Sequence, residues 1–168
     1  MKLPARFVCG RISRMDISTS FTVHAAPEAV AEALLSEELA VARMKALGVS
    51  DYSHKREGDV AVTDCRAGAE QIPEVARRFV KNGIHVTITA RKNGNRVDYS
   101  CDTHGLPAQI SLTETVSRES DGVARVGVDG ELKVKVPLVG AKLEKKAAEY
   151  IRPVLAEDGK LIKELLNG

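Results

Sequence analysis

The chain carries two periodicities that have to be buried against each other. Over 141–166, Leu143, Ala147, Ile151, Val154, Leu155, Ile162 and Leu165 recur at helical spacing and form one apolar stripe on the longest element of the sequence. Much of what precedes it alternates residue by residue. The clearest run sets Val126, Val128, Leu132, Val134 and Val136 against Arg125, Asp129, Glu131, Lys133 and Lys135, one dry face and one wet face, as in an antiparallel sheet. Neither dry surface is stable in water alone. The helix stripe must therefore lie on the dry sheet face, and the sheet must curve around it. The predicted class is α+β, with a curved seven-stranded antiparallel sheet around a long C-terminal helix.

The other elements follow from the same patterns. Ile17, Phe21 and Val23 alternate with polar residues in a first strand. Pro27 opens a short helix, and Ser36 caps a second that carries Leu39, Met44 and Leu47 and stops at Gly48. Residues 50–56 and 60–66 pair around a turn at Glu57, Gly58 and Asp59; Ile84 to Arg91 and Val97 to Cys101 pair around Asn93-Gly94-Asn95. Between these hairpins, Ile72, Val75, Ala76, Phe79 and Val80 stand at helical spacing and predict a short amphipathic helix, either a lid over a cavity mouth or a plug in the open end of the sheet. Pro153 predicts a kink in the long helix near 149–153, and Gly159 a second weak point.

A length of 168 residues suits one domain with one core. The segment 1–16 reads as a flexible leader or an over-extended start, with Met15 as an alternative first residue, or else as a functional basic arm; the folded domain is expected over 17–168. Twenty-five Lys and Arg against 23 Asp and Glu give a formal net charge of +2, too small for the basic field of a nucleic-acid binder, and aromatics make up only 4%. No run of apolar residues is long enough to span a membrane, and Cys9, Cys65 and Cys101 are spaced like reduced thiols, which points to a cytoplasmic protein.

Chemistry-bearing motifs are scarce. His24, His54, His85 and His104 are dispersed without metal-ligand spacing, so no metal and no cofactor is predicted. Cys101 and His104 are neighbours, but alternation sends Cys101 to the dry side and Asp102 and His104 to the wet side, the wrong geometry for a nucleophile pair. Glu114 stands out: with Ile110, Leu112 and Val116 it falls in register with the dry face. A carboxylate there is either turned to solvent by a bulge or is a polar anchor inside a pocket, helped by Tyr99 and Cys101, and it is the only candidate catalytic residue.

The order of elements, together with the segment Val136-Pro137-Leu138-Val139-Gly140-Ala141-Lys142-Leu143-Glu144, resembles an actinobacterial family of unknown function in the START-like (SRPBCC) superfamily over about residues 17–166. That resemblance implies the helix-grip fold and a cavity between sheet and C-terminal helix. Members of the wider superfamily bind lipids, sterols, polyketides or plant hormones, and some are cyclases or aromatase-like enzymes. The expected function is non-catalytic binding of a small apolar or amphipathic ligand, with Val75, Phe79, Tyr99, Cys101, Leu112, Glu114, Ala147, Ile151 and Leu155 as candidate ligand-binding residues. Two alternatives stand beside it: an enzyme of the same fold, of cyclase or hydratase type, using Glu114, and an interaction module whose core is filled by its own side chains.

Overall fold

A computed structural model describes residues 15–72, 74–78 and 80–167, apart from the side chains of Val75 and Ala76. Seven strands form one antiparallel sheet: β1 (Met15–Val23), β2 (Asp51–Glu57), β3 (Val60–Ala67), β4 (Ile84–Asn93), β5 (Arg96–Asp102), β6 (Ala108–Ser120) and β7 (Val123–Val134). Their spatial order is β1-β7-β6-β5-β4-β3-β2, so every neighbour from β2 to β7 is also a neighbour in sequence. Only β1 crosses to the far edge, pairing with β7 along its whole length from Met15 opposite Leu132 to Val23 opposite Ala124. The strand thus begins two residues before the expected start of the domain at 17. The proposed leader Met1 to Arg14 lies outside the described residues.

Helices α1 (Pro27–Ala33) and α2 (Glu37–Leu47) form the short pair after β1. Pro27 takes the first turn of α1, where its missing N–H costs nothing. At the start of α2 the Ser36 hydroxyl accepts from the Leu39 N–H at 3.2 Å, and Gly48 closes the helix at φ 75°, a left-handed conformation that a side chain disfavours.

The long helix α4 (Gly140–Asn167) lies on the dry sheet face and buries Leu143, Ala148, Val154, Leu155 and Ile162 against β1, β7 and α2. It runs unbroken through Pro153, the residue at which a kink is expected. Pro153 is on the exposed side, where water can take up the carbonyl whose partner is lost. At Gly159, the second expected weak point, a Cβ would stand 3.0 Å from Cδ2 of Phe21, so the absence of a side chain lets the ring pack against the helix there.

The segment between β3 and β4 departs most from expectation. Instead of a helix over Ile72 to Val80, a 3-10 turn at Ala69–Gln71 is followed by α3, the four residues Glu74–Arg77. Ile72 itself is extended, at φ −102° and ψ 139°. It precedes Pro73, whose ring excludes the helical region for the residue before it. Among the described residues no helix is long and apolar enough to cross a membrane.

Candidate functional site

Between the sheet and α4 lie two adjoining pockets, an outer and an inner lobe, whose walls share Leu47, Cys65, Val86 and Ile151. The outer lobe, about 300 Å³, is lined by the strand ends at Ala67, Ile84, Ala108 and Val134 and by Leu143, Ala147 and Tyr150 of the helix. Ile72 and Val80 also line it, so both ends of the segment around α3 close over this lobe. The inner lobe, about 260 Å³, is bounded by Leu34, Met44, Ile88, Leu112, Val154 and Leu155. Its walls are largely apolar; His54 and Thr63 are polar points on β2 and β3, and charge gathers at one end.

That end is built on Arg43. The α2 stripe Leu39-Ala40-Arg43-Met44-Leu47 aims a guanidinium at the sheet, where it meets three elements at once. Nε and one terminal nitrogen donate to the two carboxylate oxygens of Asp158 on α4, at 3.1 and 2.6 Å. The same terminal nitrogen donates to Oε1 of Glu114 on β6 at 3.1 Å, and the other donates to the Tyr99 hydroxyl on β5 at 3.2 Å. Asp158 is 0% exposed, Glu114 1% and Arg43 16%. One cation therefore holds two buried carboxylates. Asp158 engages it in a bidentate pair, the stronger geometry for guanidinium and carboxylate.

Glu114 is consequently under-compensated. Burial pushes its carboxyl above the usual range; Arg43 opposes that shift and the negative charge of Asp158 adds to it. Burial likewise raises the Tyr99 hydroxyl, which keeps its proton and, though close enough to stabilise the Glu114 carboxylate, does not complete a hydrogen bond to Oε2. Oε2 of Glu114 and Nε2 of His54 are both buried without a hydrogen-bond partner among the described residues, and both residues line the inner lobe. His54 is oriented through its other nitrogen, 2.8 Å from the Thr63 hydroxyl across the β2–β3 ladder.

Of the residues singled out in the sequence, Tyr99, Cys101, Leu112, Glu114, Ile151 and Leu155 meet at the inner lobe, while Ala147 lies on the outer one. Glu114 points inward: the β6–β7 register is regular from Ala108 to Arg118 and shifts only between Arg118 and Ser120, so no bulge re-aims it. Phe79 and the Val75 side chain lie outside the described residues. Cys65 joins Cys101 in the inner wall as a free thiol, and burial pushes Cys101 up to about 11.

Sequence reasoning missed Arg43, Asp158 and His54. Each had a signal. Asp158 is in phase with Ile151, Leu155 and Ile162, Arg43 is in phase with Leu39 and Leu47, and His54 is opposite Thr63, which alternates in step with Ala61 and Cys65. Glu144 is a further case: 2% exposed in the same helix stripe, it accepts from the Val134 N–H at 2.8 Å and ties the start of α4 to the end of β7.

A seven-stranded sheet wrapped on one long helix, with a cavity between them, defines a START-like helix-grip protein. Residues 18–166 match the family described as a protein of unknown function (DUF2505), and the chain belongs to that family. No curated protein sequence matches it. Among solved structures, a START superfamily protein from Mycobacterium smegmatis superposes with a TM-score of 0.56 at 12% identity, covering 89% of this chain and 98% of the other. Norcoclaurine synthase from Thalictrum flavum gives 0.61 at 14% identity over 92% and 94%. The ZhuI aromatase/cyclase from Streptomyces sp. R1128 gives 0.57 at 10% identity over 90% and 90%. At these identities the likeness is one of fold.

Proposed function

We propose that the chain binds one small apolar or amphipathic molecule, of lipid, sterol or polyketide-like character, between the sheet and α4 without covalent chemistry. The observation that carries this reading is an apolar two-lobed cavity ending on Oε2 of Glu114, a buried oxygen without a partner. Volumes of this size suit a small ligand, and a buried polar atom left unpaired is costly until something pairs with it. With Arg43 neutralised by Asp158, a protonated Glu114 would offer its proton to a carbonyl or hydroxyl oxygen at the ligand's polar end, while the ligand's apolar body runs past Ile151 into the outer lobe. Native mass spectrometry of the protein purified from its own organism tests this. A bound species of defined mass, weakened in Glu114→Leu and retained in Glu114→Gln, is expected. A ligand-free spectrum, together with no uptake of a fluorescent fatty-acid probe, would overturn the reading.

One observation favours an enzyme of the same fold instead: a carboxyl group, Glu114, and an imidazole nitrogen, Nε2 of His54, face a single lobe, each without a hydrogen-bond partner among the described residues. Norcoclaurine synthase and the aromatase/cyclase are named for catalysis on this fold. Loss of turnover in Glu114→Gln with binding intact would favour this reading, because only proton transfer needs a titratable group there. An interaction module with a filled core fits less well with two open lobes.

A further inference from the structure

The outer face of the sheet carries a second cluster, independent of the cavity. Alternation turns Asp64 of β3 and His85 and Thr87 of β4 away from the cavity, while their neighbours Cys65 and Val86 line it. Asp64 is opposite Thr87, and Thr87 is opposite Asp102 at the end of β5. Two residues beyond Asp102, His104 takes φ 50°, a left-handed conformation supported by its N–H donating to Oδ1 of Asp102 at 2.9 Å. That turn folds the ring of His104 back over His85, with centroids 3.8 Å apart and planes within 6° of parallel. Ligand atoms of Asp64, His85 and His104 then all lie within 4.8 Å of one another.

We propose that Asp64, His85 and His104 form a binding site for a divalent transition metal of the zinc class, with a fourth position left for water or an external ligand. The donor set is two imidazoles and one carboxylate, which suits zinc, cobalt, nickel or copper and is poor for magnesium or calcium. Zinc lies about 2.0 to 2.2 Å from such donors, so tetrahedral ligands stand roughly 3.4 Å apart: Nε2 of His85 and Oδ1 of Asp64, 2.6 Å apart without metal, have to separate, and the stacked rings have to turn their edges toward one point. All three side chains are about one-third exposed, at 31%, 30% and 37%, so an ion reaches them from solvent.

The metal-free hydrogen bonds show what would change. Nε2 of His85 lies 2.6 Å from Oδ1 of Asp64, and the Thr87 hydroxyl donates to the same oxygen at 2.6 Å. A hydroxyl has one proton, so Thr87 can only accept from Nε2 of His104, 2.8 Å away. Both Nε2 atoms therefore carry hydrogen when no metal is bound. Binding moves each proton to Nδ1, and for His104 a carboxylate oxygen of Asp102 already stands 4.0 Å from that atom. Closing that gap on metal binding would give the outer-shell hydrogen bond that fixes the tautomer of a ligating histidine. Oδ1 of Asp64 already accepts from the Thr87 hydroxyl and lies against Nε2 of His85, so a carboxylate oxygen is aimed into the cluster. Leu106 and Pro107, in the same turn as His104, line the outer lobe, so a metal here also fixes one wall of the cavity mouth.

Cobalt(II) titration of the full chain, followed by visible absorption, tests the site. One equivalent bound through nitrogen and oxygen, displaced by zinc and unaffected by excess magnesium, is expected. His85→Gln and His104→Gln should each weaken binding about a hundredfold, and Asp102→Asn about tenfold, by loss of ligands and of their outer-shell support. Melting temperatures of these variants in EDTA should match the wild type, which separates loss of a ligand from loss of fold. No cobalt uptake, equal uptake by both histidine variants, or a sulfur-to-cobalt charge-transfer band that disappears in Cys9→Ser would each overturn the assignment.

Discussion

Glu114 and Arg43 set the electrostatics of the cavity, and both make predictions at the scale of a single residue. Because burial raises the Glu114 carboxyl, the folded state holds that proton more tightly than the unfolded chain does. The unfolded glutamate titrates near 4.5, so stability falls as pH rises above that value and levels off once the folded carboxyl has ionised. Glu114→Gln has no such term. In urea denaturation its stability relative to wild type should improve as pH rises above about 4.5 and then level off, and a constant difference would show that Glu114 is not desolvated. Removing the cation has the opposite consequence. Arg43→Met leaves two buried carboxylates without their partner and should cost about 3 to 5 kcal/mol, while Arg43→Met combined with Asp158→Asn should recover part of the loss. The thiols report the same burial. In a Cys9→Ser background, Cys65 and Cys101 should react with a maleimide at neutral pH on the order of a hundredfold more slowly than free cysteine, since burial raises both and the thiolate is the reactive form.

At the scale of the element, α4 decides the architecture. Ile162 is fully buried in its stripe, and Ile162→Ala should destabilise by about 2 to 5 kcal/mol in chemical denaturation. Gly159 gives a sharper test, because two effects of known sign compete there. Alanine is favoured over glycine in a helix by about 1 kcal/mol, so a purely helical position would gain stability on substitution. The new Cβ would stand 3.0, 3.3 and 3.4 Å from Cδ2, Cγ and Cβ of Phe21, which is tight enough to displace the ring. Gly159→Ala should therefore destabilise the wild-type chain and stabilise a Phe21→Ala background, and the same sign in both backgrounds would show that the helix and β1 do not meet there. In the β3–β4 segment apolar spacing predicted a helix from Ile72; the proline that follows accounts for the extended Ile72, and the helix that forms covers the four residues Glu74–Arg77.

For the whole molecule, the cavity couples stability to occupancy. A ligand that binds the folded state alone raises the melting temperature in proportion to the logarithm of its concentration over Kd. Ala147 offers a way to separate the lobes, since it lines the outer one and not the inner one. Ala147→Trp should fill the outer lobe and weaken a ligand that spans both by about 1 to 3 kcal/mol, measured by calorimetry, and undiminished affinity would confine the ligand to the inner lobe.

The sequence by itself determined the sheet and the gripped helix, because those rest on periods of two and 3.6 residues that a local window reveals; it put Glu114 in register with the dry face but left a bulge open, and the regular β6–β7 register decided that the side chain points inward. The sequence also determined that Tyr99, Cys101, Leu112, Ile151 and Leu155 face one interior. Tertiary structure alone decided which charges meet. Arg43, Tyr99, Glu114 and Asp158 lie on four different elements, and Asp64, His85 and His104 on two strands and a turn, so their contacts depend on strand register and on how α2 and α4 cross the sheet. Burial follows from local pattern, whereas the pairing of polar groups follows from distances between segments far apart in the chain. For that reason the four dispersed histidines gave no sign in the sequence that two of them stack on one face of the sheet.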